Sequence, residues 1–145
     1  MDHPYHYVGC FIDLSDFRKA IRGIRTDPLK NDIQFPHVTF AYRPEKVDQS
    51  LFGSVIQVKI IGYGNNGENE GLKVQLYSCD PVLQSMIERL QCPHITIAVS
   101  DYGEAVNTRK LQFKEITPVE LTGKYGGYLK EGKVDVQRRS EESIG

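Results

Sequence analysis

Apolar and polar positions follow two periods along this chain, and each change of period marks an element. Tyr7 to Ile12 is an apolar run with Gly9 and Cys10 inside it, the pattern of a buried strand that ends at Asp13. From Leu14 the spacing becomes helical. Leu14, Phe17, Ile21 and Ile24 share one face while Arg18, Lys19 and Arg22 face water, which predicts a helix capped by Asp13 or Ser15 and ended by Asp27-Pro28. A polar loop through Lys30, Asn31 and Asp32 leads into Pro36-His37-Val38-Thr39-Phe40, a strand that stops at Arg43-Pro44. Val55, Gln57, Lys59 and Ile61 then alternate with Ile56, Val58 and Ile60, a strand to Tyr63. The run Gly64 to Gly71, rich in Gly and Asn, predicts a hairpin loop.

After that loop the order restarts. Leu72 to Tyr77 reads as a strand, Asp80 caps a helix with Pro81 in its first turn, and Leu83, Met86, Ile87 and Leu90 form its apolar stripe. Cys92-Pro93 enters a second histidine strand, Pro93-His94-Ile95-Thr96-Ile97. A polar stretch from Asp101 to Lys110 precedes a last alternation from Phe113 to Leu121, which is expected to close at the glycine-rich turn Gly123-Lys124-Tyr125-Gly126-Gly127. The charged end, residues 130–145 with Arg138, Arg139, Glu141 and Glu142, is expected to fray. Halves 7–64 and 72–127 thus each read strand, helix, histidine strand, strand, with Gly62-Tyr63-Gly64 matching Gly123-Lys124-Tyr125-Gly126. The first half carries the longer connection between helix and histidine, 24 residues from Asp13 to His37 against 14 from Asp80 to His94. The expected fold class is α+β. Residues 1–145 form a single bilobal domain with a pseudo-two-fold repeat, antiparallel strands lining a central cleft and helices outside.

Composition narrows the picture. A chain of 145 residues with 39% apolar content suits one core. The net charge of -1, with lysines and arginines scattered among acids, gives no basic face for long nucleic acid, so any nucleic-acid contact should be local. Cys10, Cys79 and Cys92 form no CxxC pair and read as reduced thiols. The start, Met1-Asp2-His3-Pro4-Tyr5, lacks the signature of a signal peptide, and no run has membrane-spanning length. The expectation is a soluble, cytoplasmic, monomeric protein with no membrane partner.

The chemistry lies in the repeated phrase. Alternate residues of a strand share a face, so His37 points with Thr39 and His94 with Thr96, while Val38, Phe40, Ile95 and Ile97 pack behind. Imidazole titrates near neutral pH and serves as acid or base. Threonine hydroxyls can donate to phosphate oxygens. A single copy of the phrase would read as ordinary strand residues; its repetition in matching halves favours phosphoester cleavage with no metal and no cofactor. Arg43 and Lys124 are candidates to neutralise phosphate, and Tyr5, Tyr42, Tyr102, Tyr125 or Tyr128 to stack on a base, with Lys124 and Tyr125 foremost because a glycine-rich turn could close over a ligand. Other motifs fail their context. Gly62-Tyr63-Gly64-Asn65-Asn66-Gly67 fits GxGxxG but no helix follows it, Cys92 and His94 lack zinc-ligand spacing, and there is no GxSxG elbow or P-loop.

Paired His-x-Thr motifs in two similar halves resemble the two-histidine (2H) phosphoesterase superfamily over nearly the whole chain. His37-Val38-Thr39-Phe40-Ala41-Tyr42-Arg43 and the glycine-rich hairpin are most similar to phosphodiesterase domains of the fungal tRNA ligase type and their small RNA-repair relatives. The resemblance implies metal-independent hydrolysis of a 2',3'-cyclic phosphate, on RNA or a nucleotide, to a 2'-phosphate. His37 and His94 would share the acid and base roles, Thr39 and Thr96 would bind the phosphate, and RNA kinase or ligase partners could work alongside. By sequence the two histidines are equivalent, so their roles stay open. The competing reading is a non-catalytic module that binds an RNA end or nucleotide phosphate; arginine would serve such a binder better than paired histidines.

Overall fold

In the computed structural model, which describes residues 3–139, the chain forms β1 (Tyr5–Ile12), α1 (Leu14–Ile21), β2 (Asn31–Asp32), β3 (His37–Tyr42), β4 (Val55–Asn65), β5 (Asn69–Tyr77), α2 (Pro81–Glu88), β6 (His94–Val99), β7 (Lys114–Leu129) and β8 (Val134–Asp135). Short 3-10 turns lie at Gln49–Leu51 and Ala105–Lys110. The α+β class holds: eight strands make one sheet in the order β2-β6-β5-β4-β7-β1-β3, with β8 on β7, and every pairing is antiparallel.

Local chemistry accounts for the helix starts. Asp13 accepts from the Asp16 amide, and Asp80 accepts from Val82 and Leu83 with Pro81 at the first helical turn. Each helix then buries two residues, Phe17 and Ile21 or Leu83 and Ile87, in one core with Val8, Val38, Ile56, Val58, Ile60, Leu72, Val74, Ile95 and Ile97. Full burial of each such side chain is worth about 1.5–3 kcal/mol. Because strand residues alternate, Val55, Gln57 and Lys59 stand exposed on the face turned away from that core. His37 and His94, neighbours of core residues Val38 and Ile95, belong to this second face.

The ends of the sheet come together. Ile33 donates to the Ile97 carbonyl on β6, and Ile12 on β1 donates to the Pro36 carbonyl. Only residues 33–36 therefore join one edge to the other, and Cα atoms of β3 and β6 come within 8 Å. The long connection before β2 is fastened by a buried ion pair. Glu70, 0% exposed, accepts from Arg25 Nε at 2.8 Å and Nη2 at 2.7 Å, from the Tyr63 hydroxyl at 2.7 Å and from the Leu29 amide at 3.1 Å. Arg25 also reaches Asp32 at 3.0 Å.

Several expected boundaries are corrected. The glycine-rich stretch 123–127 is no turn but the interior of β7, where Cβ atoms would collide: one on Gly127 would lie 2.4 Å from the Tyr5 ring and one on Gly123 2.3 Å from Cys10 Sγ. Most of the expected hairpin loop is strand, with the turn at 66–68 and Gly67 at φ +85°. The expected fraying fails for residues 130–139. β8 pairs with β7, Asp135 accepts from the Tyr5 hydroxyl at 2.6 Å and from Arg139 at 2.7 Å, and Arg138 donates to the Phe52 carbonyl. Residues 140–145, the rest of that expectation, lie outside the described residues.

Candidate active site

Each histidine follows a proline at the start of its strand, and both rings are fastened alike. His37 Nδ1–H donates to the Phe35 carbonyl at 2.7 Å, and His94 Nδ1–H donates to the Cys92 carbonyl at 2.8 Å. The acceptor in each case is two residues back, across a proline whose φ is fixed. A neutral imidazole has one N–H, so these bonds assign it to Nδ1 and leave the Nε2 lone pair open.

Pairing around the histidines also matches. Phe11 lies opposite His37 and Gly9 opposite Thr39; Lys73 lies opposite His94 and Gly71 opposite Thr96. In both ladders the register slips just before the glycine, at Val8/Gly9 and at Glu70/Gly71. These bulges put one extra residue in each histidine strand. Only glycine fits the close approach that results: a Cβ on Gly9 would lie 2.1 Å from the Val38 carbonyl oxygen, and one on Gly71 2.9 Å from that of Ile95.

The surroundings differ. Tyr7 stacks on His37 with ring centroids 4.6 Å apart and on Tyr128 at 5.0 Å, and the Phe11 ring lies 5.7 Å from His37. Burial in this aromatic setting pushes the His37 pKa below its ordinary value; the bond to Phe35 opposes that shift, and the nearby His94 charge adds to it. Beside His94 the neighbours are polar. Thr96 Oγ1 and Thr108 Oγ1 are 2.7 Å apart, Asn69 Nδ2 donates to Thr108 Oγ1 at 3.0 Å and to the Glu104 carbonyl at 2.7 Å, and the buried Asn69 Oδ1 has no partner among the described residues. Thr39, by contrast, is exposed.

Of the sequence candidates, His37, Thr39, His94, Thr96 and Lys124 share the face away from the core. Lys124 pairs with Phe11, which pairs with His37, so it stands two strands over, about 10 Å between backbones. Four other candidates do not join them. Tyr125 is 2% exposed on the core face, packed against Phe40 and Phe52, and burial pushes its hydroxyl pKa up to about 12, so it is unfit to touch a ligand. Arg43 sits beyond the far end of β3, about 20 Å along an extended chain from His37. Tyr5 is buried in the core, and Tyr102 is exposed in a turn.

Tyr7, Phe11 and Lys73 were missed by the sequence reading. Alternation puts Tyr7, Gly9 and Phe11 on one face, a signal hidden when the run is treated as wholly buried. Lys73 was legible as an outward position between Leu72 and Val74. Cys10, Cys79 and Cys92 are free thiols, with Cys10 pushed up to about 12 by burial. Among the described residues, no three His, Cys, Asp or Glu side chains gather as a metal-ligand set, and no helix is long and apolar enough to cross a membrane.

Two open imidazole nitrogens with hydroxyls and lysines on one face can move protons at an anionic group such as a phosphoester. No family model matches the chain, and no curated protein matches its sequence.

Proposed function

We propose that the chain is a metal-independent 2',3'-cyclic phosphodiesterase of the two-histidine kind, opening the cyclic phosphate of an RNA end or nucleotide to a 2'-phosphate. The observation that carries this reading is the matching carbonyl bond of His37 and His94, each held through Nδ1 by the carbonyl two residues back with Nε2 open, although His37 Nδ1 also lies 3.4 Å from the Tyr7 hydroxyl. One such nitrogen can take a proton as it stands, and the other can deliver one once its imidazole carries a second proton. The pseudo-two-fold arrangement and a cleft between β3 and β6 belong to the same proposal. Supporting them, the order β6-β5-β4-β7-β1-β3 maps onto itself when β1 exchanges with β5, β3 with β6 and β4 with β7, and the bulges and opposed glycines recur with it.

The reaction divides the histidines. His37, whose burial favours the neutral form, takes a proton from water through Nε2. The resulting hydroxide oxygen bonds to phosphorus as the bond from phosphorus to the 3' oxygen breaks. His94 must enter this step as an imidazolium, with a proton on both nitrogens; it delivers the one on Nε2 to that oxygen and is left neutral, giving a 3'-hydroxyl and a 2'-phosphate. Thr39 and Thr96 donate to the non-bridging oxygens, while Lys73 and Lys124 balance their charge. On this reading the protein works as a cytoplasmic monomer, with RNA kinase and ligase activities preparing and sealing the companion end.

The test is product analysis on a short RNA ending in a 2',3'-cyclic phosphate, with EDTA present. The expected outcome is a 2'-phosphate from the wild type, with His37→Ala and His94→Ala each slower by about two to four orders of magnitude. A folded wild type that binds this RNA and leaves the ring closed would instead support a phosphate-binding module.

A further inference from the structure

Beyond the end of β3 lies a cavity of about 470 Å³ lined in part by His3, His6, Arg43, Glu45 and Lys130. Its chemistry is cationic. Among the described residues neither Arg43 nor Lys130 forms an ion pair, and Glu45 is the one carboxylate in the lining. His3 has a structural role, because its Nε2–H donates to the Pro44 carbonyl while its Nδ1 accepts from the Tyr5 amide, tying the turn after β3 to the amino-terminal segment.

Arg43 is unusual in its backbone. At φ +49° it is the one non-glycine residue with positive φ among the described residues, a strained conformation for a long side chain. Its amide donates to the His6 carbonyl at 2.8 Å, and its guanidinium lies 5.3 Å from the ring centre of Tyr42. Tyr42 is 59% exposed and its hydroxyl bonds His6 Nε2 at 2.9 Å. Tyr42 pairs with Tyr7, which stacks on His37, so an aromatic track runs along the open face from the histidine to the cationic cavity. The backbone distance of about 20 Å exceeds the reach of a single nucleotide.

We propose that Arg43, Lys130 and His6 form a phosphate subsite that holds the sugar-phosphate backbone of the substrate several nucleotides from its reacting end, with Tyr42 as a stacking platform on the way. The inference rests on the proposed phosphodiesterase reading and selects the substrate class within it: an oligonucleotide, gripped locally, in preference to a free cyclic nucleotide. An arginine fork suits a phosphodiester, and an exposed tyrosine beside it accepts any base.

The experiment compares kcat/KM for a nucleoside 2',3'-cyclic monophosphate with that for a hexanucleotide ending in the same group, using wild type, Arg43→Gly, Lys130→Gln and the double variant. Glycine suits φ +49°, so Arg43→Gly removes the guanidinium while relieving the backbone, and thermal melting should show stability held or raised. The expected result is a wild-type preference for the hexanucleotide that falls about tenfold or more in the double variant, which no longer offers the phosphate two charge-assisted hydrogen bonds. The salt dependence of hexanucleotide turnover should become shallower by about 0.7 for each phosphate that is no longer neutralised. Equal turnover of both substrates by wild type, or a preference untouched by the variants, overturns the subsite and leaves the phosphodiesterase reading standing. If wild type cleaves neither, fluorescence polarisation with the hexanucleotide decides. Binding that weakens in the double variant keeps the subsite and discards the hydrolase, whereas absence of binding discards both.

Discussion

The two histidines share a backbone template and sit in unlike company. His37 lies against Tyr7 and Phe11, with Tyr128 stacked on Tyr7 and Val8 at the position before the bulge. His94 stands opposite Lys73, beside the Thr96–Thr108–Asn69 chain, with Glu70 in the place that Val8 takes on the other side. The aromatic side buries its imidazole and lowers its pKa, while the polar side sets donors and a cation near its own. Main-chain geometry therefore aims both rings, and the neighbouring side chains make their surroundings unlike. On the proposed reading, a doubled motif acquires two roles by changing the lining alone.

The polar side should be the easier to break. Arg25→Met strands the Glu70 carboxylate in the core, and denaturant unfolding should show a loss of about 3–5 kcal/mol, most of it restored by adding Glu70→Leu. Burial alone would raise the Glu70 pKa, but Arg25, Tyr63 and the Leu29 amide hold it below the ordinary carboxylate value. Its contribution is therefore complete above the unfolded value of about 4.3 and is lost as pH falls through the lower folded value. A loss under about 1 kcal/mol in Arg25→Met would mean the ion pair does not secure that side.

Thr108→Val should cost less, about 1–3 kcal/mol, because it deprives Asn69 Nδ2 and Thr96 Oγ1 of a shared partner in a buried place. Unchanged melting in this variant would show that the chain of bonds beside His94 carries little stability.

The smallest effect sharpens the aromatic side. With its folded pKa below the unfolded value of about 6.5, His37 favours folding above that value, and this contribution declines as pH falls from there toward the folded value. Activity that needs neutral His37 should show its acid limb below about pH 6.5. Tyr7→Leu removes the ring stacked on His37, and the limb in kcat/KM should move up toward about 6.5. An unmoved limb would mean that the rings do not set the base.

Much of this was legible in the sequence because it is local. Helix caps at Asp13 and Asp80, the Gly67 turn and the histidine strands all follow from rules spanning a few residues. What was not legible depends on distant packing. The glycines at 123–127 read as a turn because glycine is flexible, whereas the fold requires them for lack of a Cβ beside Tyr5 and Cys10. Tyr125 read as a ligand contact for the same reason, and its true position on the core face follows only once β7 runs straight through. The two-residue β2 and β8 carry no periodicity to detect; they exist because β6 and β7 offer free edges. Arg43 was singled out for its charge, but the length of β3 decides what that charge can reach.

The acceptors that orient His37 and His94 are peptide carbonyls, and this bears on how the gene can drift. Where a carboxylate side chain orients a histidine, one missense change can erase the orientation. Here positions 35 and 92 already hold residues as unlike as phenylalanine and cysteine, yet both supply the same oxygen at nearly the same distance. Mutational pressure on the orienting device therefore falls on Pro36 and Pro93, which shape the peptide, and passes over the residues that provide the acceptor.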